Sequence, residues 1–224
     1  MRSHIITSAL TIVLAVSGSI APAVGESIAA PAAIQQQTSK IDKAIAEGTR
    51  LFKEGSVESL KSAISQFELV ERLTKTNDNK VARSYALLGL GRIYYDLGNK
   101  EKALDYFYQA IYFERKLGNI EGQSIILNNI GMTYFDLGEQ QKALNYFDQS
   151  LSLSRKINDK KQEAATLNNI GIVYSDLGAR QKALDNYNNA LLIIRSVGGD
   201  PGGESATLTG IAIIYKDSGD IEPI

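Results

Sequence analysis

Apolar positions along this chain recur at the spacing of helix faces. Leu127, Ile130 and Tyr134 stand at i, i+3 and i+7, and Ala143, Phe147 and Ser150 stand at i, i+4 and i+7 after a short break. The two stretches predict two helices. Leu137-Gly138 closes the first and Ile157-Asn158 the second, at positions where a left-handed cap suits Gly or Asn. The same pattern returns at a fixed interval. Gly91, Gly131 and Gly171 lie 40 residues apart, as do Tyr94, Tyr134 and Tyr174, Asp96, Asp136 and Asp176, and Gly98, Gly138 and Gly178. A further incomplete copy follows one residue late, with Tyr215, Asp217 and Gly219.

A period of this size predicts a stack of helix pairs, each too small to bury its own apolar face. Repeats are expected over 79–118, 119–158 and 159–198, with an incomplete one, first helix only, over 199–224. A divergent pair over 39–78 keeps Gly48, Leu51 and Gly55 in its first helix and Ala63, Phe67 and Val70 in its second. An atypical first unit is expected where one face meets water. Small residues such as Gly91 and Ala103 alternate with large ones such as Tyr94 and Phe107, as interdigitated helices require.

The first 38 residues follow a different pattern. Arg2, the apolar run Ile5 to Val16 and the small residues around Ala21-Pro22-Ala23-Val24-Gly25 predict a secretory signal peptide over 1–25, cut after Ala23 or Gly25. The run is short for a membrane span. Residues 26–38, rich in Ala, Pro, Gln and Ser, are expected to form a flexible tether. The expected location is therefore outside the cytoplasm, periplasmic or secreted, with no stable span after cleavage.

Composition then narrows the chemistry. Net charge is −1, without the basic stripe that nucleic acid requires. Cysteine is absent, and the single histidine, His4, falls in the signal segment. The processed chain would lack Cys–His dyads, Ser–His–Asp triads and Cys/His zinc sites. It is expected to be no enzyme and to hold no metal or cofactor.

Leu127-x-x-Ile130-Gly131-x-x-Tyr134 followed by Ala143-x-x-x-Phe147 resembles the tetratricopeptide repeat (TPR). Leu stands where that signature has Trp, Arg155 stands near its closing proline, and the period is 40 instead of 34. The long variant, with Leu-Asn-Asn-Ile-Gly at 127–131 and 167–171, is similar to repeats of kinesin light chains and of bacterial exported arrays, the latter often fused to CHAT protease domains. The resemblance implies an all-α fold, a right-handed superhelical solenoid of antiparallel helix pairs, whose first helices line a concave groove for a peptide or protein segment.

Candidate groove residues follow from helix geometry. Asn128, Asn129, Met132, Phe135 and Asp136 project away from the Leu127/Ile130/Tyr134 stripe, and Arg92, Tyr95, Asp96, Asn168, Asn169 and Asp176 hold matching places. An Asn amide both donates and accepts, which suits an extended peptide backbone; alternatively, one Asn of each pair ties neighbouring helices. The Asp residues form either an acidic ladder or local turn bonds. Tyr95, Tyr106, Tyr108, Tyr112 and Phe113 are a candidate partner patch. Lys102, Lys142 and Lys182 are expected on a solvated face. Ile213 and Ile214, outside the packing stripe of the last helix, predict self-association through the C-terminal end. The function expected is an exported, non-enzymatic interaction scaffold. Alternatives are the regulatory part of a split or truncated TPR–CHAT protease system and an end-to-end structural oligomer.

Overall fold

Why the repeats form helical hairpins is visible in one turn. The computed structural model of the chain describes residues 32–217. In it, α5 (Ile120–Asp136) ends at Leu137, and Gly138 takes φ +77, a left-handed conformation that costs a residue without Cβ almost nothing. The Gly138 amide then donates to the Phe135 carbonyl at 2.9 Å and the Glu139 amide to the Tyr134 carbonyl at 2.9 Å. These two bonds close the helix end and reverse the chain. Asn158 performs the same turn at φ 56 after α6 (Gln140–Lys156). Asn119 and Asp159 cap the starts of α5 and α7 (Lys160–Asp176) by accepting from backbone amides of the first turn.

The described residues are all helical apart from such turns, and the fold is an all-α solenoid of helix pairs. They divide into two compact units. The first contains α1 (Ala32–Glu54), α2 (Val57–Asn77), α3 (Lys80–Asp96) and α4 (Lys100–Leu117). The second contains α5, α6, α7, α8 (Arg180–Ser196) and α9 (Pro201–Asp217). Within each, consecutive helices pack as hairpins, and every second helix also packs on the first helix of the following pair: α2 on α3, α6 on α7, α8 on α9.

α1 begins at Ala32, so residues 32–38 of the expected tether are helical; the rest of that segment and the whole signal segment lie outside the described residues. Ala32 and Ala33 are good helix formers, and Gln37 anchors this extra length. Its amide nitrogen donates to the Leu73 carbonyl at 3.0 Å and the Thr76 hydroxyl at 2.9 Å on α2.

One packing device recurs. Each second helix sets an aromatic ring on a glycine of its own first helix: Phe67 on Gly48, Phe107 on Gly91, Phe147 on Gly131, Tyr187 on Gly171. A Cβ at Gly131 would lie 2.6 Å from the Phe147 ring. Phe67 and Tyr187 also meet a glycine of the next first helix, Gly89 and Gly210. Phe67, Phe107 and Phe147 are fully buried, each contributing about 1.5–3 kcal/mol of gross burial energy. Burial pushes the Tyr187 phenol up to about 12.

Candidate functional site

The two units present their first helices differently. In the second unit α5, α7 and α9 lie side by side, α7 touching both neighbours. Across the α5–α7 seam the Asn169 amide donates to the Asn128 side-chain oxygen at 3.0 Å. Two further amides on these helices are buried with an atom lacking any hydrogen-bond partner: the Asn129 nitrogen and the Asn168 oxygen. Residue exposure there is 8% and 7%. Gly210 occupies the place on α9 that Asn169 occupies on α7, counting the one-residue shift of the last repeat. It accommodates the Tyr187 ring and has no side chain to offer Asn168. The Asn–Asn tie therefore forms once in this unit and is interrupted at the next seam.

The other candidates on these helices are distributed around those amides. Met132 is buried, Phe135 half-buried, and Asp136 and Asp176 exposed. Asp176 accepts from the Gln140 amide at 3.2 Å. In the first unit Arg92 is buried, its guanidinium 5.3 Å from the centre of the Phe52 ring. Burial pulls its pKa down, with Asp96, Tyr95 and Tyr85 opposing. Asp96 stands at the exposed rim, where loss of hydration raises its pKa against the charges of Arg92 and Lys100. Tyr95 is buried, with the Lys100 ammonium 3.3 Å from its ring centre. The first unit thus combines cation and aromatic rings, whereas the second combines amides and apolar side chains. The Asp residues have separate surroundings within their own units, Asp96 beside cations and Asp176 on Gln140.

Several surface expectations change. Ile214 is buried and Ile213 half-buried, so neither forms an outward apolar surface on α9. Lys102 is half-buried, whereas Lys142 and Lys182 are exposed as expected; all three also meet an aromatic ring. Their ammonium groups lie 4.0, 5.3 and 5.2 Å from the ring centres of Tyr94, Tyr134 and Tyr174. Lys102 also donates to the Tyr94 hydroxyl at 2.7 Å, which raises the lysine pKa. Tyr106 belongs to the repeat: it stacks on Tyr94 with centroids 5.4 Å apart, as Tyr146 stacks on Tyr134. The expected aromatic patch therefore divides, leaving Tyr108 and Tyr112 outward. Phe113 stacks edge-on against Tyr112 and lies under Arg83.

A polar seam between helices was not anticipated. Ser124 and Ser150 exchange bonds, each hydroxyl donating to the other's carbonyl at 2.9 and 2.8 Å. Thr166 and Gln162 extend the network. Its signal in the sequence is Ser150 standing where the neighbouring repeats have Ala110 and Ala190. The first unit has its own variant, with the Ser84 hydroxyl donating to the Glu114 carboxylate and the Ala110 carbonyl.

The family model of the tetratricopeptide repeat matches residues 82–156, 122–188 and 162–223, overlapping spans that together exceed half the chain. No curated protein sequence matches. Solved structures share the fold at low identity. BtubC (BKLC) from P. vanneervenii is 19% identical with a TM-score of 0.58, over 85% of this chain and 86% of that one. A Rap protein complexed with competence and sporulation factor is 18% identical with a TM-score of 0.70, over 81% of this chain and half of that one. A putative kinesin light chain repeat protein from Podosopora anserina is 17% identical with a TM-score of 0.61, over 83% and 87%. No helix among the described residues is long and apolar enough to cross a membrane.

Proposed function

The chain belongs to the tetratricopeptide-repeat family, and from that premise we propose an exported, non-enzymatic scaffold that binds an extended peptide or protein segment along its first helices. The family's fold is a protein-interaction scaffold. The observation that carries the finer reading is the pair of buried, unpartnered amide atoms on α5 and α7: one donor at Asn129, one acceptor at Asn168. Buried polar atoms rarely lack partners, and an extended backbone offers both complements, a carbonyl and an N–H. Met132 and Phe135 add apolar character on α5. A Rap protein of similar fold has been solved with a bound factor, an instance of the fold holding a ligand. Export rests on the Arg2, Ile5–Val16 and Ala21–Gly25 pattern.

Selection of peptides from a displayed library on the purified chain tests this reading. Binders are expected, and Asn129→Ala with Asn168→Ala should weaken them about tenfold or more, the equivalent of one good hydrogen-bond pair. Equal affinity in the double variant would remove these amides from the site. For export, the mass of the protein recovered outside the cytoplasm should begin after Ala23 or Gly25.

A further inference from the structure

Two pairs of tyrosines hold their rings face to face. Tyr94 of α3 and Tyr106 of α4 stack with centroids 5.4 Å apart and planes 7° from parallel. Tyr134 of α5 and Tyr146 of α6 repeat the arrangement at 5.4 Å and 4°. Each pair lies within one hairpin, one ring on the first helix and one on the second. All four residues are half-buried, neither sealed in the core nor free to swing in solvent. The rest of the composition directs oxidation to such rings. Thiols and thioethers are the side chains that oxidants usually consume, and an indole gives up an electron as readily as a phenol. Here cysteine and tryptophan are absent, and the methionines are Met1 and the buried Met132. An electron taken from this chain therefore comes from tyrosine.

We propose that both pairs are dityrosine sites, at which one-electron oxidation joins Tyr94 to Tyr106 and Tyr134 to Tyr146 within the chain. The co-reactant is a diffusible one-electron oxidant, two equivalents per link. Each phenol gives an electron to the oxidant and its hydroxyl proton to water. The phenoxyl radical that remains shares its unpaired electron with the ring carbons ortho to oxygen. One ortho carbon of each ring joins the other in a new C–C bond. The hydrogens on those two carbons then leave as protons while both oxygens regain one, so the phenols are restored. The net change is one C–C bond made, two C–H bonds broken, and two electrons and two protons lost. Stacking is what favours this outcome. Radicals on separate chains must meet by diffusion, whereas a stacked pair already holds both rings in contact, which raises their effective concentration by orders of magnitude. Lys102 steadies the first pair: its ammonium donates to the Tyr94 hydroxyl at 2.7 Å and lies 4.0 Å from the Tyr94 ring centre. Lys142 lies 5.3 Å from the Tyr134 ring centre. The third repeat lacks the second phenol, because Asn186 stands where Tyr106 and Tyr146 stand. The proposal is independent of the peptide-binding reading.

The full chain, kept dilute, can be oxidised with photogenerated ruthenium(III) tris-bipyridine, with persulfate as the final electron acceptor. The monomer should gain dityrosine fluorescence and lose two hydrogens in mass per link. Its digest should contain peptides joining Tyr94 to Tyr106 and Tyr134 to Tyr146, and each pair stands or falls on its own linked peptide. Tyr106→Phe with Tyr146→Phe keeps a ring in each stack but removes one phenol from each pair. It should lower the monomer's fluorescence about tenfold or more. Circular dichroism identical to the parent confirms that the variant is folded. Fluorescence confined to cross-linked dimers, or unchanged in the folded double variant, would overturn the proposal. So would linked peptides dominated by Tyr112 and Tyr215, which are 56% and 42% exposed, because linkage would then follow exposure and not the stack.

Discussion

Replacing Gly131 with Ala pits two effects of similar size against each other. Alanine is the better helix former by about 1 kcal/mol, so at an open mid-helix site the substitution stabilises. Gly131 is not open. The new Cβ would lie 2.6, 2.7 and 3.0 Å from three atoms of the Phe147 ring, and Phe147 is fully buried. For a buried ring this close to the new Cβ, α5 and α6 must separate or the ring must shift from its rotamer. Overpacking of this kind costs about 1–3 kcal/mol, and a fully enclosed flat ring places it in the upper half. The net expectation is a loss of about 1–2 kcal/mol.

Urea unfolding followed by circular dichroism measures that loss, and a double-mutant cycle assigns it. Phe147→Leu alone should cost about 1 kcal/mol or more through the cavity it leaves. In the Gly131→Ala background the smaller Leu removes the clash, so the two losses should fall short of additivity by about 1 kcal/mol or more. Gly202→Ala, at a helical glycine whose nearest outside atom is 3.6 Å away, should be close to neutral. If Gly131→Ala stabilises the protein, or if the cycle is additive, the ring-on-glycine account of the hairpin is wrong.

The adjacent asparagines of α7 should respond with opposite signs. Asn168→Ala removes an unpartnered buried oxygen and gains helix propensity, so stability should rise by about 1 kcal/mol or more; Asn169→Ala breaks the bond to Asn128 and leaves its oxygen without that donor, so stability should fall in the same melt. Glu163 supplies a pH dependence. Burial tends to raise its carboxyl pKa, but bonds from Lys160 and Arg155, both at 2.8 Å, outweigh this and hold it below the usual carboxylate range. A depressed folded-state value means its stabilisation is complete above the unfolded pKa of ~4.3 and is lost as pH falls through the folded value. Glu163→Gln should therefore cost about 1 kcal/mol at pH 7, limited by the exposure of both cations, and the difference should vanish near pH 3; a gap that persists at pH 3 would assign it to packing.

What could be read from the chain in advance was what repeats. Gly131, Phe147, the Leu-Gly turn and the Asn158 cap recur or substitute at fixed offsets, and each is determined by contacts within one hairpin or its immediate neighbour. Tyr106 shows the limit of that method. It stacks on Tyr94 as Tyr146 does on Tyr134, but the next repeat has Asn186 there, so two copies out of three looked like scatter. The lysines were legible in part: Lys142 and Lys182 are exposed as expected, but the ring contacts were not visible. A Lys next to a small core residue reads as solvated along one helix, and only the facing helix supplies the tyrosine ring beneath it.

The asparagines lie between these cases, and they tie the fold to the proposed function. Their recurrence at 128–129 and 168–169 was visible, but recurrence alone does not separate a tie between helices from a ligand contact. The structure shows one tie, from Asn169 to Asn128, and no ligand contact is tested by it. Asn128 and Asn169 satisfy each other, and Gly210 breaks the series, leaving the Asn168 oxygen buried without a donor. A scaffold that needed only rigidity would gain by continuing the ladder or by ending it in an apolar side chain. Under the proposed function, the cost of the unpartnered atoms is recovered when a peptide hydrogen-bonds to them. Peptide affinity and stability should therefore move in opposite directions in Asn168→Ala, whereas in Asn169→Ala they should fall together. Parallel changes in both variants would make the ladder a structural feature alone.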